Sequence, residues 1–449
     1  MGKSEVYKLF ERNCPRAVQD EDAEMARSYE SVVVFDMMIP LRNVGHSLHA
    51  KGGDEITLRS IIDRVFRDAV GQMLQTQMVV ALFDKADFVT DAKAAEQEMR
   101  DMATPSSGED LPDLWSCTDR DNADTVSAPG RDWGNLLNNR EARVELVWRI
   151  CEEFKSCMFG VMQEIGIPDG HTMLLDYQDR DRAPVVWEVS NRAATRASAW
   201  DNQLGEFDVA YLHYSSDSTV NELVQAVEDR TQIKQAVLVV SSDSDILPIE
   251  MLNIRAGNVD VHIRRTVGKP GVRRITFPKI AAVYIKEQMR HVASPIEDFA
   301  LSFVLAGSDF VTGIPGVGNL KFIEARMQAG EHKSPFDVFR RLLENSHKKM
   351  TTTTTGRKRK RVTHAAALRA SVGKEDARLS AVPCKQGGKP SKPFLDPTHA
   401  WARAKYIVNY WAHSVNDRHL QLSTCIGHGW HKDGLKTVVS GSGFETTGK

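Results

Sequence analysis

The chain has 449 residues, of which 41% are hydrophobic and 26% charged, and carries a formal charge of −2. That is globular material for two or three domains, and its balance excludes a uniformly basic nucleic-acid coat while concealing a local imbalance met below. Six cysteines (Cys14, Cys117, Cys151, Cys157, Cys384, Cys425) include no CxxC pair, which excludes a zinc ribbon or dithiol motif written in the sequence and fits a reducing compartment.

In chain order, the opening MGKSEVYKLFERN lacks the apolar core of a signal peptide. Four apolar runs, Val32 to Phe35, Met78 to Phe83, Phe207 to Leu212 and Ala236 to Val240, are predicted as buried parallel strands, with a weaker fifth at Val259 to Ile263. Between the first two, Ile56, Ile61, Ile62, Val65, Phe66, Val70, Met73 and Leu74 recur at helical spacing and predict one amphipathic helix. Residues 101–132 are rich in breakers and acids without a period, so a loop or insertion is expected there, with helix resuming near Trp133. Val220, Leu223, Val224 and Val227 predict a helix before the fourth strand. Ser294-Pro295-Ile296-Glu297 reads as a helix start with serine at the N-cap, proline next and glutamate third. From about Lys348 to Lys392 there are 13 basic residues against 2 acidic, including Arg357 to Arg361, as in a solvated linker. Trp401, Tyr406, Ile407, Tyr410 and Trp411 then predict one helix that packs back on the core. No apolar stretch approaches the roughly 18 residues of a bilayer span, so a soluble intracellular protein with no membrane partner is expected. Strands alternating with helices imply the α/β class, with a mainly parallel central sheet flanked by helices.

In an open parallel sheet the residues that follow each strand meet at the carboxyl edge, where ligands bind. Acids dominate those positions. Asp36 follows VVVF, Asp84 follows MVVALF, Asp217 comes shortly after FDVAYLHY, Asp243 and Asp245 follow AVLVVSS, and Asp309 ends the helix that begins at Ser294. Extended alternation would put Asp243 and Asp245 on one face, where they repel unless a cation lies between them. One aspartate after a strand is ordinarily a cap or turn residue, but a cap uses one carboxylate of that pair and leaves the second unexplained. Six acids in a partly buried cleft cannot all stay ionised without counter-charge. Two divalent ions resolve the conflict, and all-oxygen ligands suit Mg²⁺ or Mn²⁺ better than Zn²⁺. Two ions roughly 3.5–4 Å apart are a clamp for in-line attack on a phosphodiester. A second feature is Gly313-Ile314-Pro315-Gly316-Val317-Gly318. It reads either as a tight helix–helix connection or as a turn whose amides hold a phosphate.

MGKSEVYKLFERNCPRAV, VVVFD, VVALFD, SSDSDIL and FVLAGSDFVTGIPGVGNLKF together resemble the flap endonuclease/XPG-type 5′ nucleases of the PIN-like superfamily, and more distantly the 5′–3′ exoribonucleases. The resemblance covers residues 1–100 and 205–330, as an N-terminal and an internal nuclease region (1–100 and 133–345), followed by a basic linker (346–395) and a C-terminal helical segment (396–449). It implies a PIN-like core with a helix-two-turn-helix element near 309–325. Asp36, Asp84, Asp243, Asp245 and Asp309 fall where the family keeps metal-site aspartates, and Gly2 matches a glycine near the cleft. The turn with Gly316 and Gly318, and Lys321 after it, resembles the element that grips the duplex backbone and, in several members, a K⁺ ion. DAKAAEQEMR resembles the basic gateway helix, which implies that Lys93 and Arg100 contact the phosphate to be cleaved. Where the family has two glutamates this chain reads Ser216-Asp217-Ser218-Thr219. Asp217 replaces the first, Thr219 cannot supply charge for the second, and Glu222 stands one turn on.

The resemblance thus implies Mg²⁺- or Mn²⁺-dependent hydrolysis of branched or 5′-ended DNA in replication or repair. Rival readings are a non-catalytic PIN-like scaffold, motivated by Thr219, an RNA-directed 5′–3′ nuclease, and a phosphatase of another α/β fold. The run Arg357 to Arg361 reads as a nuclear import signal, a contact to nucleic acid or a plain linker, and HGWHKDG as a surface turn without a third metal ligand.

Overall fold

A computed structural model describes residues 4–21, 32–49, 56–88, 125–126, 133, 137, 140–202, 204–216, 236–254, 260–266, 273–308, 310–311, 313–314, 316–330, 333–352, 385–386, 389–390 and 397–413. The strands in chain order are β1 (Val18–Asp20), β2 (Val32–Asp36), β3 (Ile56–Thr57), β4 (Met78–Leu82), β5 (Thr125–Val126), β6 (Thr172–Gln178), β7 (Pro184–Val189), β8 (Ala194–Arg196), β9 (Ala236–Val240), β10 (Asp260–Thr266), β11 (Arg273–Thr276), β12 (Lys385–Gln386) and β13 (Lys389–Pro390). The helices are α1 (Ser4–Asn13), α2 (Met38–His49), α3 (Leu58–Val65), α4 (Arg67–Gln72), α5 (Arg140–Glu164), α6 (Phe207–Ser216), α7 (Ile246–Asn253), α8 (Pro278–Gln288), α9 (Pro295–Leu305), α10 (Asn319–Met327), α11 (Pro335–Thr352) and α12 (Pro397–His413).

Nine strands join in the order β1-β11-β10-β9-β2-β4-β6-β7-β8. The α/β class holds, but the sheet is mixed rather than mainly parallel. Its centre, β10-β9-β2-β4-β6, is parallel, and antiparallel strands flank it on both sides. The central strands are runs of valine with no polar face because both faces are covered. Val32, Val34, Val80, Leu82, Val237 and Val239 pack under α1, α6 to α10 and α12. Val33, Phe35, Val79, Ala81 and Leu238 pack under α2 to α5.

Several expectations need correction. Phe207 to Leu212 is not a strand but the start of α6. Val209, Ala210, Tyr211, Leu212 and Tyr214 are all buried, so this helix shows no polar face and its period of 3.6 is hidden in a continuous apolar run. The strand beside β4 is instead β6, which forms an antiparallel hairpin with β7. The single helix expected from Ile56 to Leu74 is divided: Ile56 lies in β3, and α3 ends before Phe66, where α4 begins. α9 starts at Pro295, yet Ser294 makes no side-chain capping bond; its carbonyl accepts the Asp298 amide at 3.0 Å. α11 runs to Thr352, so the linker begins later than 346. The helix expected at Val220 to Val227 and the run Arg357 to Arg361 lie outside the described residues. The C-terminal helix does return to the core, with Ile407 and Trp411 buried and Asn253 Nδ2 donating to the Trp411 carbonyl at 3.0 Å.

Glu250 links two helices of this core, since the buried Tyr211 hydroxyl of α6 donates to its Oε2 at 3.0 Å. Burial raises its pKa from 4.5 to about 7, opposed by the Tyr211 bond and by Lys279. A carboxyl with a raised folded-state pKa contributes fully below its unfolded value and loses that contribution as pH climbs through the folded one. Glu250 alone is therefore expected to lower stability by on the order of 3 kcal/mol between pH 4 and pH 8. Chemical denaturation of Glu250→Gln across this range should show a flatter profile and a gain over the wild type above pH 7.

Candidate functional site

The register of the parallel strands builds an acidic edge. Asp36 pairs with Leu82, and Phe35 with Val240, so the ends of β9, β2 and β4 lie side by side. Alternation then sends Asp36, Asp84 and Ser241 to the face covered by α6 and α7. Ser241 is the hub of this edge. Its hydroxyl donates to Asp36 Oδ2 at 2.9 Å and accepts the Asp243 amide at 3.1 Å. Asp36 Oδ1 accepts the Met38 amide at 3.1 Å, and Asp84 Oδ1 accepts the Phe207 amide at 2.9 Å, which caps α6 from another strand.

Asp243 and Asp245 do not lie on one face of an extended chain. β9 ends at Val240, and the backbone then turns into α7. Asp243 Oδ1 accepts the Asp245 amide at 3.0 Å, an Asx-type turn, while Asp245 occupies the N-cap position without a side-chain capping bond and is buried. One carboxylate thus shapes the turn and the other is carried at the head of α7.

Burial, followed by the charge of Asp84, raises Asp36 from 3.8 to about 7; Asp243 raises it further, and the Ser241 bond and Arg42 oppose them. Asp84 and Asp243 therefore both lie within electrostatic reach of Asp36. Lone oxygens of this kind, hard and negatively charged, fit a divalent cation of the Mg²⁺ or Mn²⁺ type. Among the described residues, no group of three or more His, Cys, Asp or Glu side chains stands where it could by itself hold a metal ion. Asp217, Asp309, Lys93, Arg100, Gly2, Thr219 and Glu222 lie outside the described residues.

Sequence reasoning missed the neighbours of these acids. Lys85, next to Asp84, is fully buried and pairs with Asp176 of β6 at 2.6 Å. Tyr214 and Asn202 also donate to Asp176, at 2.8 and 3.2 Å. This acid stands level with Leu82 on the same edge but is already neutralised. The alternation in TMLLDYQ, a polar turn and then PVVWEV was the signal for it.

In the hairpin of α9 and α10, Gly316 has φ +76° with open space around it, as a left-handed turn position requires. Gly307, at φ +114°, and Gly313 touch backbone to backbone: a Cβ on Gly307 would lie 2.9 Å from the Gly313 Cα. The close approach thus rests on a glycine before the expected turn. Gly318 is the extended N-cap of α10, where a Cβ would lie 3.3 Å from Glu5 Oε2 of α1. Lys321, in the first turn of α10, is exposed. No helix among the described residues is long and apolar enough to cross a membrane.

No protein-family model matches the chain, and no curated protein matches it.

Asparagine at position 36 keeps an acceptor for Met38 and removes the buried charge. Without divalent ions at pH 8, Asp36→Asn is expected to be more stable than the wild type by on the order of 4 kcal/mol. Thermal melting with added Mn²⁺ should raise the wild type and leave the variant nearly unchanged.

Proposed function

We propose that this chain is a metal-dependent 5′ nuclease with a PIN-like core, similar to the flap endonuclease/XPG type, that hydrolyses phosphodiesters of branched or 5′-ended DNA. The observation that carries this reading is the meeting of Asp36, Asp84 and Asp243 at the carboxyl ends of three adjacent parallel strands without a paired cation. In this reading Asp36, Asp84, Asp217, Asp243, Asp245 and Asp309 would hold two Mg²⁺ or Mn²⁺ ions. Such ions supply an activated water and stabilise the charge on the attacking and leaving oxygens.

The protein's own groups do the positioning. Ser241 holds Asp36 and the Asp243 amide together, and the Asp245 amide fixes the Asp243 carboxylate. Lys93 and Arg100 orient the scissile phosphate. The turn with Gly316, Gly318 and Lys321 follows the duplex backbone, with K⁺ as its ion, and such contacts position the substrate without reading sequence. Arg357 to Arg361 would direct the protein to the nucleus, and an RNA strand is the alternative substrate.

A binding-only scaffold is favoured by a different observation: Asp84 and Asp243 each already accept a backbone amide, so both have structural work without metal. Asp243→Asn separates the readings because the asparagine oxygen can still accept the Asp245 amide. Cleavage of a 5′-flap DNA with Mg²⁺ is expected to fall at least ~100-fold in this variant, with binding in Ca²⁺ changed by less than ~3-fold. Undiminished turnover defeats the assignment. A wild type that binds flap, nicked, single-stranded and RNA substrates but cuts none of them with Mg²⁺ or Mn²⁺ selects the scaffold.

A further inference from the structure

The helix that follows the first acid of the edge carries an exposed cation back toward it. α2 begins at Met38, whose amide donates to Asp36 Oδ1 at 3.1 Å, so its first turn rests on that carboxylate. Met38, Leu41 and Val44 bury one side of the helix, whereas Arg42 and Asn43 are exposed. The buried Trp133 indole donates to the Leu41 carbonyl at 3.0 Å and pins the turn from which Arg42 projects. Residues 38 and 42 are neighbours on the helix surface, one turn apart, a rise of about 6 Å. Helical side chains lean toward the amino end of their helix and cover the preceding turn. An arginine at 42 therefore reaches back over Met38 toward Asp36.

Electrostatics agree with this placement. Burial, Asp84 and Asp243 raise the Asp36 pKa, and the Arg42 charge lowers it. Yet the guanidinium does not close on the carboxylate: among the described residues no ion pair or hydrogen bond of its side chain forms. The arginines of the β6–β7 turn, at the same edge beyond β4, are engaged. Arg182 is shared between Asp87 and Glu141, while Arg180 lies 3.7 Å from Glu145 and over the Trp148 ring. Arg42 is thus a solvent-facing fork of donors held beside acids that it does not neutralise. Its charge is permanent, and its planar geometry matches two oxygens of one phosphate.

We propose that Arg42 is a substrate-binding residue whose guanidinium grips one phosphate of the nucleic-acid strand lying along the acidic edge on the α2 side. The identity of the partner as nucleic acid rests on the nuclease reading. The carboxylates then take cations, and Arg42 takes an oxyanion that bare carboxylates would repel. A plain counter-charge to Asp36 would instead act on the protein alone and on every phosphate of the substrate alike, so the two roles are separable.

The test uses the full chain, a 5′-flap DNA, and the same DNA with one neutral methylphosphonate at each position in turn. Binding is measured in Ca²⁺ and cleavage in Mg²⁺. Arg42→Gln is expected to bind the unmodified flap about 10-fold more weakly, and Arg42→Lys, which keeps the charge without the fork, about 3-fold. One methylphosphonate should weaken wild-type binding about 10-fold and leave Arg42→Gln, already weakened to that extent, unaffected. Mn²⁺ binding without DNA should be at least as tight in Arg42→Gln as in the wild type, with an unchanged circular dichroism spectrum, because a positive charge near the acids is gone. Wild-type DNA affinity in Arg42→Gln, losses that add at every methylphosphonate position, or weakened Mn²⁺ binding overturns the assignment. A wild type that binds the flap but cuts nothing removes the nuclease reading, while the methylphosphonate comparison still decides Arg42. A wild type that binds no nucleic acid overturns both.

Discussion

Three carboxylates are held at one edge of the sheet by strand register, and their repulsion is the constraint on which the rest of the site depends. Asp36, Asp84 and Asp243 cannot separate, because each is fixed to the backbone of a different element: Met38 after β2, Phe207 at the head of α6 and Asp245 at the head of α7. Burial removes the water that would screen them, so Asp36 stays near half-protonated at neutral pH. Fixed acids at one edge cost stability in the protein alone and favour any cation that joins them.

The surrounding fold confines that cost. Ser241 links Asp36 to the β9 turn. On the far side of β4, Asp176 is neutralised by Lys85, so the uncompensated charge ends there. On the opposite side Arg265 lies over the Tyr7 ring, 4.0 Å from its centre, without closing on the acids.

Much of this was legible in the sequence. The strands at Val32, Met78 and Ala236 were readable because a parallel strand covered on both faces is an unbroken apolar run, and Asp36, Asp84 and Asp243 follow them directly. Phe207 to Leu212 gave the same apolar signal and is a helix, since a helix buried all round has no polar stripe to betray it. Periodicity could not reveal Ser241 or Arg265 as neighbours of Asp36, because their shared row depends on strand order. A double arginine in VHIRRT reads as a surface charge until its strand is known to be covered. Nor did the spacing of Asp243 and Asp245 disclose that one shapes the turn into α7 and the other heads that helix.

The central claim is that the acidic edge binds divalent cations as neighbours. Titration of the full chain with Mn²⁺, followed by electron paramagnetic resonance, tests it most directly. The account expects about two ions per chain, displaced by Mg²⁺, with a signal broadened by exchange between ions roughly 4 Å apart and lost in Asp36→Asn. A free Mn²⁺ spectrum at millimolar concentration, unchanged by the protein, contradicts it.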